Sequence, residues 1–152
     1  MDSRWTPAHG IDRILREAWE RGIVLCGLSA GSLCWFAEGV STFHGPPERI
    51  EGLGLLPWSN TVHYSSEPDR REAYHRWLRS GMRRGYAVDD GAALHFVGEE
   101  LAQVVASRPD ARAYRIEAHP DRVVPTQLAT RFLGDPDVIP LVRPKLAEAM
   151  PA

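Results

Sequence analysis

The sequence has little cysteine, little excess of either charge and no long hydrophobic run. Its 152 residues include 2 cysteines, too few for the disulfide framework of a small secreted protein. The 18 Lys and Arg nearly balance the 20 Asp and Glu, so the sequence lacks the excess of basic residues that is typical of nucleic-acid-binding proteins. The longest apolar runs, such as residues 22–28, are too short to cross a bilayer, and the N-terminus lacks a secretory pattern. We therefore expect a single cytoplasmic domain over residues 1–152 that binds neither nucleic acid nor membrane.

Helical and extended patterns alternate in the first part of the chain. Thr6 and Pro7 have the residue types of a helix start, and Gly22 has the type that ends one. Residues 23–26 form an apolar run, typical of a strand buried on both faces of a parallel sheet. A helix followed at once by such a strand favours the α/β class. The helix is predicted from apolar residues at helical spacing, namely Ile11, Ile14, Leu15, Ala18 and Trp19.

Later segments predict a mixed pattern that ends in strands. A second helix is expected over residues 32–38, followed by a loop over 40–52, and a third helix is expected to begin around Pro68. The buried face of that third helix is predicted to be Ala73, Tyr74, Trp77 and Leu78, and its arginines, Arg70 included, are expected in solvent. Strands are predicted over 53–56, 61–64, 86–89 and a C-terminal meander of 93–97, 101–107 and 113–117, with one helical turn over 145–150.

Gly27-Leu28-Ser29-Ala30-Gly31 fits the pattern Gly-x-Ser-x-Gly between the expected strand and helix. In that setting a strained turn lifts the serine hydroxyl above the sheet edge, and the following backbone N–H faces a developing oxyanion. We therefore predict Ser29 as a nucleophile and Ala30 as an oxyanion donor. A structural or phosphate-binding turn is the alternative, and it would need the glycines but not the serine.

A nucleophilic serine needs a base, and His63 is the best placed of the 6 histidines. It stands near the end of a predicted strand, where the active sites of α/β proteins collect. A satisfied core or loop histidine with no catalytic role is the alternative, and His44 is a weaker candidate for the base. No pair of histidines has metal-ligand spacing, so we predict no metal.

Four blocks of the sequence resemble the peptidase E and cyanophycinase family of serine peptidases, within the class I glutamine-amidotransferase-like superfamily. They are residues 27–36, 52–57, 63–71 and 86–94, and the resemblance extends over roughly residues 5–120. It implies Ser29 as nucleophile, His63 as general base and a flavodoxin-like parallel sheet flanked by helices. Family members remove an N-terminal aspartyl residue from dipeptides or cleave an aspartyl–arginine polymer, without metal or cofactor.

The sequence departs from the family pattern at the acid member and at the start. Glu48 is our first candidate for the acid, because some relatives use a glutamate in that loop, and Glu51 and Glu67 are alternatives. Asp89-Asp90-Gly91 fits a simple turn, although the resemblance allows Asp90 to line the pocket. Two positions that are often acidic in the family are Thr42 and Ser65 here.

Relatives usually begin with further strand–helix units, including a glycine-rich loop that donates a second oxyanion N–H. We therefore expect an N-terminally truncated or mis-started chain, or one that covers an exposed strand edge by forming a homo-oligomer. The leading function is a serine-type peptidase acting on short peptides. An inactive family remnant or interaction protein is the second hypothesis. A glutaminase-like amidotransferase is the third, and it is disfavoured because that chemistry places a cysteine where Ser29 stands.

Overall fold

The computed structural model describes residues 10–119 and 121–134, so the features expected at Thr6, Pro7 and 145–150 lie outside it. Within this part, the helices are α1 (Ile11–Glu20), α2 (Ala30–Leu33) and α3 (Pro68–Arg79). The strands are β1 (Phe36–Ser41), β2 (Glu48–Glu51), β3 (Leu56–Val62), β4 (Gly85–Val88), β5 (Ala92–Val97), β6 (Glu100–Ala106), β7 (Ala113–Ala118), β8 (Val123–Gln127) and β9 (Thr130–Phe132).

The main sheet has the strand order β2-β1-β3-β4-β7-β8, and a smaller sheet has the order β5-β6-β9. Strands β1, β3 and β4 are parallel, while β2, β7 and β8 pair antiparallel with their neighbours. The α/β class is therefore confirmed, with a mixed rather than purely parallel sheet. The expected C-terminal meander is wrong in detail, because β7 leaves the β5–β6 hairpin to join the main sheet and β9 runs parallel to β6.

Helix α3 covers one face of the main sheet. Its side chains Tyr74 and Leu78 pack with Val40 of β1, Ala87 of β4 and Ile116 of β7. Burial of these large apolar side chains is the main force that holds the helix on the sheet. The predicted start of this helix at Pro68 and the burial of Ala73, Tyr74 and Leu78 are confirmed.

The small sheet covers the opposite face of the main sheet. Phe36, Leu56 and Tyr86 form a buried cluster there, and Leu94 and Phe96 of β5 pack against it. The aromatic rings meet edge to face: the centroids of Phe36 and Phe96 are 5.8 Å apart, and those of Tyr86 and Phe96 are 5.4 Å apart. The main sheet therefore lies between a helix and a second sheet.

Three local predictions are wrong. Residues 23–26 form no strand, because no described strand pairs with them, and the side chain of Val24 is 88% exposed. The helix expected over 32–38 ends at Leu33, and its latter part is strand β1 instead. The loop expected over 40–52 is wrong in part, because β1 continues to Ser41 and β2 occupies Glu48–Glu51.

Two further details differ from the sequence-based expectation. The strands expected over 53–56 and 61–64 are one strand, β3, preceded by an irregular segment. Arg70 is buried rather than solvated, because its guanidinium donates to the carbonyl of Val62 and pairs with Glu67. The apolar face of α1 is not buried by the described residues, and Ile14 is 64% exposed.

Candidate active site

Ser29 lies on a sharp turn immediately before α2. Its backbone has a φ of 48° and a ψ of −116°, in a sparsely populated region for a residue with a side chain. A Cβ at Gly27 would overlap the carbonyl oxygen of Gly31, so the turn closes only with glycine at position 27. Position 31 is different, because a Cβ there would meet open space. This is the geometry of a nucleophile elbow, although the segment before it is not a strand.

The rest of the site comes from the ends of two neighbouring parallel strands. Val62 at the end of β3 pairs with Val88 at the end of β4. His63 follows the first strand and Asp90 follows the second, so the two side chains emerge at the same edge of the sheet. Asn60, buried in β3, donates from Nδ2 to Ser32 Oγ at 3.0 Å and thereby ties α2 to the same strand.

The three side chains form one hydrogen-bonded chain. Ser29 Oγ lies 2.9 Å from His63 Nε2, and His63 Nδ1 lies within hydrogen-bond distance of Asp90 Oδ1. An ionised Asp90 can only accept a hydrogen bond, which fixes the proton of a neutral His63 on Nδ1 and leaves Nε2 free to accept from Ser29. The side chains of His63 and Asp90 are 29% and 38% exposed, so a substrate can reach them.

The Asp90 carboxylate is held at both oxygens. Its Oδ2 accepts the hydroxyl of Ser66 at 2.7 Å, while Oδ1 faces the imidazole. These hydrogen bonds favour the ionised form and hold the pKa of Asp90 below its usual range, the bond from Ser66 being the larger cause and that from His63 the next. The carboxylate is therefore charged at neutral pH.

Asp89, which precedes Asp90 in the chain, binds the turn after His63 and the segment just before β7. Its Oδ1 accepts the N–H of Ser65 at 3.1 Å and the Ser65 hydroxyl at 2.6 Å. Its Oδ2 accepts the N–H of Arg112 at 3.1 Å. Two successive carboxylates thus hold two successive serines of the turn that follows His63.

The structure does not place Glu48 beside His63, and Asp90 occupies that position instead. Glu48 begins the edge strand β2, where it pairs with Ser41 of β1. Strand β1 lies between β2 and β3, so the backbones of Glu48 and His63 are separated by about 10 Å, two strand spacings.

The alternatives to Glu48 are also directed elsewhere. Glu51 pairs across the ladder with Glu38, and Glu67 binds the guanidinium of Arg70, with 3.0 Å between Oε2 and Nε. His44, the weaker candidate for the base, is exposed, and its ring contacts Phe43. None of these three groups therefore joins the Ser29–His63 pair.

The backbone N–H of Ala30 follows Ser29 directly and donates to no backbone carbonyl among the described residues. The next N–H, of Gly31, is already bound to the carbonyl of Leu28 at 2.8 Å. The first N–H of α2 therefore has no backbone acceptor among the described residues, whereas the next one does.

A cavity of about 970 Å³ opens beside this hydrogen-bonded chain. Residues 22–29 and 88–98 supply most of its lining. Across residues 10–119 and 121–134, no three His, Cys, Asp or Glu side chains are grouped to hold a metal ion. Over the same residues, no helix is long and apolar enough to cross a membrane.

The chain is similar in sequence to known peptidases. A family model described as peptidase family S51 matches residues 4–104. The chain belongs to this family. It is 46% identical over 126 residues to an uncharacterised peptidase, YgaJ, of Bacillus subtilis (strain 168), and the match covers 82% of this chain and 55% of YgaJ. The chain thus spans about half the length of that relative. No solved structure matches it.

Membership of family S51 confirms the resemblance that the four sequence blocks predicted. What the sequence reasoning missed is the contact of Asp90 with His63 and the part of Ser66 in it. A signal for Asp90 was present, because it follows β4 much as His63 follows β3. That signal can be interpreted only when the pairing of Val62 with Val88 is known, and no local sequence pattern predicts this pairing.

Proposed function

We propose that this chain is a serine-type peptidase that cleaves short peptides by acyl transfer. The observation that carries the proposal is the hydrogen-bonded chain from Ser29 through His63 to Asp90. Membership of a peptidase family and the open cavity beside Ser29 support it.

In the proposed mechanism, Ser29 Oγ attacks the carbonyl carbon of the scissile peptide bond while His63 Nε2 takes the hydroxyl proton. The carbonyl oxygen becomes an oxyanion that accepts a hydrogen bond from Ala30 N–H. Asp90 stabilises the imidazolium that forms on His63. The tetrahedral intermediate then collapses, and the leaving amine takes the proton from His63.

Hydrolysis of the acyl-enzyme follows the same route. A water molecule loses a proton to His63 and attacks the carbon of the Ser29 ester. The ester bond to Ser29 Oγ then breaks, and His63 returns the proton to Ser29 Oγ, which restores the free serine. No metal or cofactor takes part in this scheme. Because of the family resemblance, we propose short peptides with an N-terminal aspartate as the first substrates to test.

The test is release of aspartate from aspartyl dipeptides, followed by mass spectrometry, for the full chain and for Ser29→Ala and His63→Ala. His44→Ala is the matched control, because that histidine is exposed and lies outside the site. The proposal expects turnover by the parent and by His44→Ala and none by the two site variants. Turnover that survives in Ser29→Ala would overturn it.

A catalytically inactive interaction protein is the second candidate. It is favoured by residues 22–28, which pair with no described strand and expose Val24 and Leu28 at 88% and 91%. Exposed apolar side chains next to unpaired backbone are a surface on which another polypeptide can pack. This candidate predicts a folded chain that releases no aspartate and leaves Ser29 unmodified by a fluorophosphonate.

A further inference from the structure

We propose that Ser66 is a positioning residue, which holds the Asp90 carboxylate in the orientation that His63 requires. This inference rests on the proposed function, in which Asp90 supports the base. It assigns a fourth member to the hydrogen-bonded chain, so that the order becomes Ser66, Asp90, His63 and Ser29.

The hydroxyl of Ser66 is placed to donate to the Asp90 carboxylate. A serine has one O–H hydrogen, and two acceptors lie near it: Asp90 Oδ2 at 2.7 Å and the carbonyl oxygen of His63 at 3.4 Å. The carboxylate is both nearer and charged, so the hydrogen points to Asp90. Ser66 therefore fixes one oxygen of the carboxylate and leaves the other directed at the imidazole.

His63 and Ser66 lie in the same tight turn. His63 has a left-handed backbone with a φ of 58°. Its carbonyl accepts the N–H of Ser66 at 3.2 Å and that of Glu67 at 2.8 Å. This tight turn fixes Ser66 relative to His63, so the two side chains hold the Asp90 carboxylate from one rigid segment.

The hydroxyl of Ser66 also stabilises the negative charge of the Asp90 carboxylate. The bond from Ser66 is the foremost reason that the pKa of Asp90 lies below its usual range, ahead of the bond from His63. Removing the hydroxyl leaves Asp90 Oδ2 without a described hydrogen-bond donor. The pKa of Asp90 should then rise, and the carboxylate should rotate more freely about its Cβ–Cγ bond.

Ser65 provides a matched control within the same turn. It is an exposed serine like Ser66, but its hydroxyl binds Asp89 rather than Asp90. Ser65→Ala therefore removes an equivalent hydroxyl bond to a carboxylate without touching the carboxylate that faces His63. A general loosening of the turn would affect the two alanine variants alike, whereas only Ser66 of these two serines contacts Asp90.

The experiment compares the parent chain with Ser66→Ala, Ser66→Thr and Ser65→Ala by two measurements. The first is the NMR titration of the Asp90 side-chain carboxyl carbon. The second is the rate at which a fluorophosphonate modifies the chain, read by intact mass. We expect Ser66→Ala to raise the titration midpoint of Asp90 and to slow modification by about 3- to 10-fold, the range for a partly solvated bond to a charged group. Ser66→Thr, which keeps the hydroxyl, should restore both values, and Ser65→Ala should leave both unchanged.

Each outcome decides a separate point. An unchanged Asp90 midpoint in Ser66→Ala, or an equal effect of Ser65→Ala, would overturn the role of Ser66. A parent chain that takes no fluorophosphonate would instead overturn the proposed function. The Asp90 titration would then decide alone whether Ser66 holds the carboxylate.

Discussion

Replacing Asp90 should slow the reaction of Ser29 far more than replacing Glu48. Asp90 Oδ1 lies within hydrogen-bond distance of His63 Nδ1, whereas Glu48 lies on an edge strand two positions away in the sheet. The pair of variants therefore compares the acid that the structure places at the imidazole with the acid that the sequence favoured.

The size of the effect follows from the bond that is lost. A hydrogen bond to a charged group contributes about 1.5–3 kcal/mol, which is about 10- to 150-fold in rate at 1.4 kcal/mol per factor of ten. The Asp90 side chain is 38% exposed, so water replaces part of the missing partner in Asp90→Ala. We expect that variant to react about 10- to 50-fold more slowly than the parent.

Asp90→Asn should react at least as slowly as Asp90→Ala. The asparagine amide can donate to His63 Nδ1, and the proton of the imidazole then moves to Nε2. In that tautomer Nε2 no longer accepts from Ser29, which is the reason that the same change costs about 10⁴-fold in a well-known serine protease. Glu48→Gln should stay within about twofold of the parent, because surface charges far from a site have small effects.

The assay is the second-order rate of modification by a fluorophosphonate, measured by intact mass at neutral pH. Far-ultraviolet circular dichroism establishes that each variant is folded. An Asp90→Asn chain that reacts within about twofold of the parent, or a Glu48→Gln chain that reacts as slowly as Asp90→Ala, would refute the reasoning.

Four other predictions follow from the described contacts. Gly27→Ala should abolish fluorophosphonate modification, because its Cβ would overlap the Gly31 carbonyl oxygen, whereas Gly31→Ala has open space and should keep it. Tyr74→Phe removes a buried hydroxyl that lies 2.6 Å from a serine, and should lower the free energy of unfolding in urea by about 1–2 kcal/mol. Burial is the main cause that lowers the pKa of His75, and two neighbouring arginines are the next cause. The imidazole of His75 therefore binds a proton less readily in the folded chain than in the unfolded chain. The free energy of unfolding should therefore fall as pH drops below about 6.5, and His75→Gln should flatten that fall in urea titrations. The exposed apolar segment 22–28 should drive self-association, and a clean monomer in light scattering would contradict this.

The features that the sequence predicted well are local ones. The turn at Ser29 was predicted because a Gly-x-Ser-x-Gly pattern depends on residues that are adjacent in the chain. Helix α3 was predicted because Pro68 and the apolar spacing of Tyr74 and Leu78 lie within one segment. In both cases the structure-determining contacts are a few residues apart, so a single segment carries the information.

The features that failed depend on contacts between distant segments. Residues 23–26 have a strand-like composition, but a strand also requires a partner, and the described chain provides none. Phe36 falls in the segment predicted as a helix, yet it lies in β1, whose backbone pairs with β2 and β3. The partners of a strand are set by the whole sheet, which outweighs local propensity.

The acid at the site shows the same limit. Glu48 and Asp90 are both carboxylates in polar segments, and the sequence alone does not show which of them lies beside His63. Their difference is the strand order β2-β1-β3-β4, which puts Asp90 next to His63 and Glu48 two strands away. Ser66 was overlooked for a similar reason, because its function is visible only through Asp90.

The central claim is that Ser29 is a nucleophile activated by His63, and the most direct test is intact-mass spectrometry of the full chain after incubation with a fluorophosphonate. The account predicts one adduct on the parent, none on Ser29→Ala and a much slower reaction of His63→Ala. A folded parent chain that remains unmodified, or an adduct that persists in Ser29→Ala, would contradict it.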